Sequence, residues 1–179
     1  DGNVSFKNIN FSYDDKNQIF KNFNLNIKSG EKIAIVGSTG SGKTTIVNLL
    51  LRFYELDKGE ILINGKNIKE MSIDLLRSNI SLVSQNIFLF ADTIYNNIVL
   101  YNKKISINKV MEAAKKIGIH NFITKLPDSY NYNVKERGVM LSEGQKQLIS
   151  FLRAYVSEPT ILVLDEATSS IDRKTEKLI

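Results

Sequence analysis

The chain has 179 residues, 42% of them hydrophobic and 24% charged, with a formal net charge of +5. The absence of cysteine rules out disulfides and thiolate-ligated metals, and a lone histidine, His120, rules out a multi-histidine metal cluster. The positive charge is scattered rather than gathered into a basic stripe interleaved with aromatics, so no nucleic acid is expected as a partner; runs such as KIAIVG and ILVL are too short to cross a bilayer, and no apolar leader opens the chain.

VSFKNI and FNLNI place apolar side chains at every second position, the pattern of half-buried strands, with polar YDDKNQ turning between them. KSGE leads into KIAIV, a continuous apolar run bounded by glycines that predicts a buried strand of the parallel-sheet type. GKTTIVNLLLRF follows with helical spacing. GEILINGKNI predicts a strand, an Asn-Gly turn and a second short strand. SIDLLRSN predicts a short helix with Ser72 as N-cap and Asp74 in its first turn, and ISLVSQ returns to strand.

From Thr93 to Lys125 the pattern is mostly helical, through TIYNNIVL, INKVMEAAKKIG and HNFITKL. EGQKQLISFLRAYV predicts another helix, stopped by SEPT with Pro159, and ILVLDEA a second continuous apolar strand ending in two acids. The predicted fold class is α/β. It has an antiparallel β subdomain at the N-terminus, a mostly parallel core with right-handed crossovers, and an α-helical subdomain, approximately residues 86–158, inserted between core strands. Residues 1–179 read as a single domain of ample length to bury a core. The chain starts without Met and stops at DRKTEKLI inside an apparent helix start, so a segment of a longer protein is expected.

GSTGSGKT fits G-x-x-x-x-G-K-[ST], the phosphate loop of P-loop NTPases, and stands between a predicted strand and a predicted helix. Gly37, Gly40 and Gly42 let the backbone come close to anionic oxygens, where a Cβ would clash. Ser38, Thr39 and Ser41 complete the wrap, and loop N–H groups point at the phosphates together with the helix start. Lys43 can reach the β- and γ-phosphates, the Thr44 hydroxyl can bind Mg2+, and Thr45 follows them in the candidate site. Asp165 and Glu166 end the second apolar strand at its carboxyl edge, where α/β sheets bind ligands. Asp165 can join the Mg2+ shell and Glu166 can orient the attacking water. The base-reading N-K-x-D of GTPases is missing: NKKI at Asn102 and NKVM at Asn108 both lack the Asp.

Taken in order, these motifs resemble the nucleotide-binding domain of an ABC transporter, most closely the exporter type, over nearly the whole chain. The resemblance implies ATP and Mg2+ as ligands. In FSYDD, Tyr13 corresponds to the ring that stacks adenine, and Ile19 flanks the base. In VSQNIFLF, Gln85 corresponds to the glutamine that meets Mg2+ and the water, on a segment that faces the membrane domain. NVKERG resembles the stretch before the signature, and Leu141, Ser142, Glu143, Gly144 and Gln145 resemble the signature itself, which closes over a partner's ATP. Ser142 would donate its hydroxyl and Gly144 its N–H. SSID places Ser169 and Asp172 on a loop at the dimer seam. Glu166, Gln85 and Lys43 are then the catalytic set, and Thr44, Gln85 and Asp165 the Mg2+ ligands.

Three departures stand out. Glu143 replaces the signature's first glycine, beside a trianionic γ-phosphate unless its side chain points away. Asn133 holds a position where exporters often carry an acid that senses the membrane domain. The family's switch histidine lies on a strand beyond the catalytic acid and is missing here; His120 precedes the signature and reads as a surface or helix-start residue. The segment alone is therefore expected to hydrolyse ATP poorly. The implied partners are a second ABC domain, head to tail in a homo- or heterodimer, and a transmembrane domain, expected in the same polypeptide, which would hold this domain at the cytoplasmic face of a membrane. Two alternatives stay open: a soluble ABC-type ATPase acting on DNA or ribosomes, and a weakly catalytic half of a heterodimer.

Overall fold

The computed structural model describes residues 2–14 and 17–165; Glu166, Ser169 and Asp172 lie outside the described residues. The chain divides into two compact units, Asp1–Ile80 and Ser81–Ile179.

The first unit is built on an antiparallel sheet in the order β2-β1-β3-β4. Its strands are β1 (Val4–Ser12), β2 (Gln18–Ile27), β3 (Lys58–Ile63) and β4 (Lys66–Asn67). The predicted alternation in β1 holds, but its phase slips. Val4 and Phe6 are buried, then Ile9 and Phe11. The slip is a β-bulge: Asn8 adopts φ 51, and the register shifts there against both β2 and β3. Asparagine tolerates this left-handed conformation better than most residues. Four asparagines fasten the bulge. Asn8 N–H donates to Asn24 Oδ1 (2.9 Å) and Asn22 N–H to Asn10 Oδ1 (3.2 Å). Asn10 Nδ2 donates to the Asn8 carbonyl (3.0 Å) and Asn24 Nδ2 to the Asn22 carbonyl (2.9 Å). Gly59 of β3 faces the bulge at φ +95, and a Cβ there would lie 2.5 Å from the Lys7 carbonyl oxygen, so no larger residue fits without moving backbone.

The Asn-Gly turn forms as predicted: Asn64 (φ 52) and Gly65 (φ 80) link β3 to β4 with the two positive φ values a tight hairpin needs. Helix α1 (Lys43–Leu50) follows the phosphate loop and buries Thr45, Ile46, Leu49 and Leu50. Helix α2 (Ile73–Ser78) starts where predicted, with Ser72 Oγ accepting from Leu75 N–H at 3.3 Å.

In the chain that follows, β5 (Ile80–Val83) and β6 (Ile161–Leu164) form a two-stranded parallel sheet. Between them lie α3 (Ile94–Val99), α4 (Ile107–Ile117), α5 (His120–Ile123) and α6 (Glu143–Val156). They enclose a core that includes Leu89, Ile94, Ile98, Val110, Ala114, Val134, Ile149 and Leu152. α4 buries Val110, Ala113, Ala114 and Ile117, the stripe that 3.6-residue periodicity dictates. Thr93 caps α3, Ser106 caps α4, and Gly118 at φ 85 ends α4. Phe151 and Ala154 of α6 pack with Val83 of β5.

Two strand expectations need correction. KIAIV does not form a strand: Ile33, Ile35 and Val36 are 45%, 42% and 87% exposed. β6 forms, but Leu162 and Leu164 are exposed rather than buried. An apolar run is buried on both faces only inside a sheet covered on both sides. Among the described residues nothing pairs with residues 32–36, and β6 has β5 as its sole neighbour.

Candidate functional site

In the first unit the phosphate loop runs from Gly37 into α1. Gly40 and Gly42 take positive φ, +84 and +92. Ser41 N–H donates to the Ser38 carbonyl at 3.1 Å and tightens the turn. At Gly37 a Cβ would meet Ser41 Oγ at 2.5 Å, so a larger residue would force the Ser41 hydroxyl to turn away. Gly42 caps α1 without a side-chain bond, so the first-turn N–H groups of the helix stay available. Lys43 Nζ donates to the carbonyls of Gly37 (2.8 Å) and Ser38 (2.9 Å), which holds the ammonium inside the curve of its own loop. Thr39 and Thr44 are exposed, and Thr45 is buried.

The two residues assigned to the base are tied to this loop. Tyr13 OH donates to Thr45 Oγ1 at 3.1 Å and accepts from Asn48 Nδ2 at 3.3 Å. Its ring stands edge-on to Phe11 and Tyr54, each with centroids 4.9 Å away. Ile19 and its neighbour Phe20 press on Gly42, where a Cβ would lie 3.1 Å from Ile19 Cγ2 and 3.0 Å from the Phe20 ring. Asn48 and Phe20 are contributors that the motif pattern does not mark.

In the second unit, Gln85 and Asp165 follow adjacent strands. Asp165 N–H donates to the Val83 carbonyl at 2.9 Å, which extends the β5–β6 pairing one residue beyond β6. Gln85, two residues past Val83, and Asp165 therefore leave the same carboxyl edge of adjacent strands. Gln85 is exposed and Asp165 half-buried. Thr44, Gln85 and Asp165 all offer the oxygen donors that Mg2+ takes.

The signature is a helix start with a reciprocal cap. Ser142 Oγ accepts from Gln145 N–H (3.3 Å), and Gln145 Oε1 accepts from Ser142 N–H (2.9 Å). Leu141 is buried and anchors the turn from within, its N–H donating to the Gly138 carbonyl at 2.9 Å. The hydroxyl of Ser142 accepts one bond and keeps its proton for another acceptor. Glu143 points out: its side chain is 70% exposed and accepts from Lys146 Nζ at 2.9 Å. The i, i+3 spacing of Glu143 and Lys146 is a signal by which the sequence could have shown that pair. Asn133 is exposed, with its Oδ1 accepting from Lys135 N–H at 2.9 Å. His120 starts α5, and its Nδ1 lies 2.9 Å from Tyr130 OH. Among the described residues there is no cluster of three or more His, Cys, Asp or Glu able to hold a metal by themselves, and no helix long and apolar enough to cross a membrane.

The model of the ABC transporter family matches residues 20–169. The chain is 47% identical over 180 residues to ABC transporter B family member 2 of Dictyostelium discoideum, covering 99% of this chain and 13% of that protein. It is 44% identical over 175 residues to the mitochondrial ABC transporter B family member 24 of Arabidopsis thaliana, covering 98% of this chain and 26% of that protein. Among solved structures it is similar to a bacterial Atm1-family ABC exporter with ATP bound, with a TM-score of 0.94 and 40% identity over 99% of this chain and 31% of that one. The chain thus spans a third or less of the length of these proteins.

Proposed function

The chain belongs to the ABC transporter family, as an ATP-binding domain of the ATPase class, and we propose that it is the motor domain of an exporter. The supporting observation is that one chain carries two separately built helix starts, the phosphate loop into α1 and the capped Ser142 into α6. The first suits this chain's own ATP. The second suits the ATP of a second ABC domain, arranged head to tail, and the loop bearing Ser169 and Asp172 would lie at that seam.

In this reading Tyr13 and Ile19 hold the base, residues Gly37 to Thr45 wrap the phosphates, and Lys43 neutralises charge that builds on the β- and γ-oxygens. Thr44, Gln85 and Asp165 would hold Mg2+, which supplies charge neutralisation at the phosphates when bound. Glu166 orients a water in line with the leaving oxygen. Ser142 and the Gly144 N–H donate to the partner's γ-phosphate, so its loss after hydrolysis releases the interface. Lys146, 2.9 Å from the Glu143 carboxylate, would offset part of its charge beside the partner's γ-phosphate. Membrane segments outside this chain would hold the domain at the cytoplasmic face and be driven by the opening.

The test is Glu166→Gln in the full-length polypeptide. It should abolish turnover while leaving ATP binding, and trap an ATP-bound pair of domains that elutes earlier on a sizing column. Turnover at the wild-type rate would overturn the assignment.

A further inference from the structure

Gln85 is exposed, yet the chain on either side of it is anchored. Upstream, Val83 is fully buried in β5; downstream, Leu89 is fully buried in the helical core. Between them Ser84 Oγ donates to the Asn86 carbonyl at 2.8 Å. A further tie comes from α6. Arg153 Nη2 donates to the Phe88 carbonyl at 3.3 Å, and Arg153 Nε donates to the Asn97 carbonyl at 2.8 Å.

Arg153 is an unusual choice for packing alone. Burial pushes its guanidinium below the ordinary value, and among the described residues no carboxylate pairs with it. A desolvated cation without a counter-charge is costly unless its donors are well used. Here they are. The Asn97 carbonyl belongs to the last turn of α3, which has no intrahelical donor for it and favours a cation. The planar fork then reaches a second carbonyl on a different segment through a separate nitrogen, held rigidly in one plane with the first, a geometry that the point-like ammonium of a lysine does not supply.

We propose that Arg153 is a positioning residue for Gln85: by holding the Phe88 carbonyl to α6, it fixes where the exposed amide stands beside Asp165. The inference rests on the part proposed above for Gln85 in hydrolysis. It also makes the signature helix and the segment after Gln85 one mechanical piece, since Ser142 heads the same helix.

A double-mutant cycle in the full-length transporter tests it, with ATPase kinetics and melting temperature measured for Arg153→Met, Gln85→Ala, the double variant and Arg153→Lys. Arg153→Met should lower kcat about tenfold or more, with the KM for ATP within about twofold of wild type. It should cause no further loss in the Gln85→Ala background, and Arg153→Lys should behave like Arg153→Met. Losses that multiply in the double variant, an unchanged kcat, or a wild-type rate for Arg153→Lys would overturn the proposal. Should Arg153→Met not fold, the same cycle is run with Arg153→Lys and read the same way. Wild-type turnover by Gln85→Ala would instead overturn the assignment of Gln85 itself, and the inference with it; an impaired Gln85→Ala with multiplying losses overturns the Arg153 inference alone.

Discussion

The phosphate loop and the signature turn are both helix starts suited to an anion, and they are constructed in opposite ways. The first keeps its donors open: Gly42 caps α1 without a side chain, residues 37–41 are exposed, and Lys43 rests on the carbonyls of its own loop. The second is closed before any ligand arrives, with Ser142 and Gln145 bonded to each other and Leu141 sunk into the core. An open loop of glycines can wrap around a polyphosphate and gain its order from it. A capped turn can only present a few fixed donors to something that comes to it. That asymmetry fits the proposed site shared between two domains.

The largest expected effect breaks the comparison at the open end. Lys43→Ala should lower kcat/KM for ATP at least about a hundredfold, because charge neutralisation at the transferred phosphate is lost. Its melting temperature should hardly change, since the two bonds it loses are to its own exposed loop. Near-normal turnover would mean that this loop does not hold the reacting phosphates. At the closed end, Ser142→Ala should cost about 1 kcal/mol of stability from the lost cap, alongside a drop in turnover. Ser142→Asp restores a capping acceptor but has no hydroxyl proton, so denaturant unfolding should recover while ATPase activity does not. Recovery of both would show that the serine serves only as a cap.

The smallest effect sharpens the comparison from beneath the signature. Tyr130 is buried in the helical core, and burial pushes its phenol up to about 12. An unfolded tyrosine titrates near 10.0, so the folded state holds the proton more tightly and stability is intact below that pH. Stability should then fall as pH rises from about 10 toward 12. Tyr130→Phe should flatten that slope in pH-dependent melting while leaving nucleotide binding at the phosphate loop untouched.

Short-range rules made much of this legible. Asn64-Gly65 and Ser72 each specify their own turn or cap, because the partners are within a few residues. The apolar stripe of α4 needed only its own period. What stayed hidden depends on partners far along the chain. KIAIV carries the right residues for a buried strand, but no spacing within it says which strand lies beside it. Arg153 looks like any helical cation until Phe88, 65 residues earlier, is found against it. The bond from Tyr13 to Thr45 likewise joins residues 32 apart. Within the candidate site, motif spelling names the residues proposed to face the ligand and does not mark those that hold them in place.

The bulge at Asn8 has a consequence for how this sheet can change over generations. β1 is in effect written in two frames joined at one asparagine, so removing that single residue would re-address Val4 and Phe6 from core to solvent. Gly59 exists to make room for the same kink. A strand exchanged into this sheet would therefore fit only if Asn8 and Gly59 were supplied together.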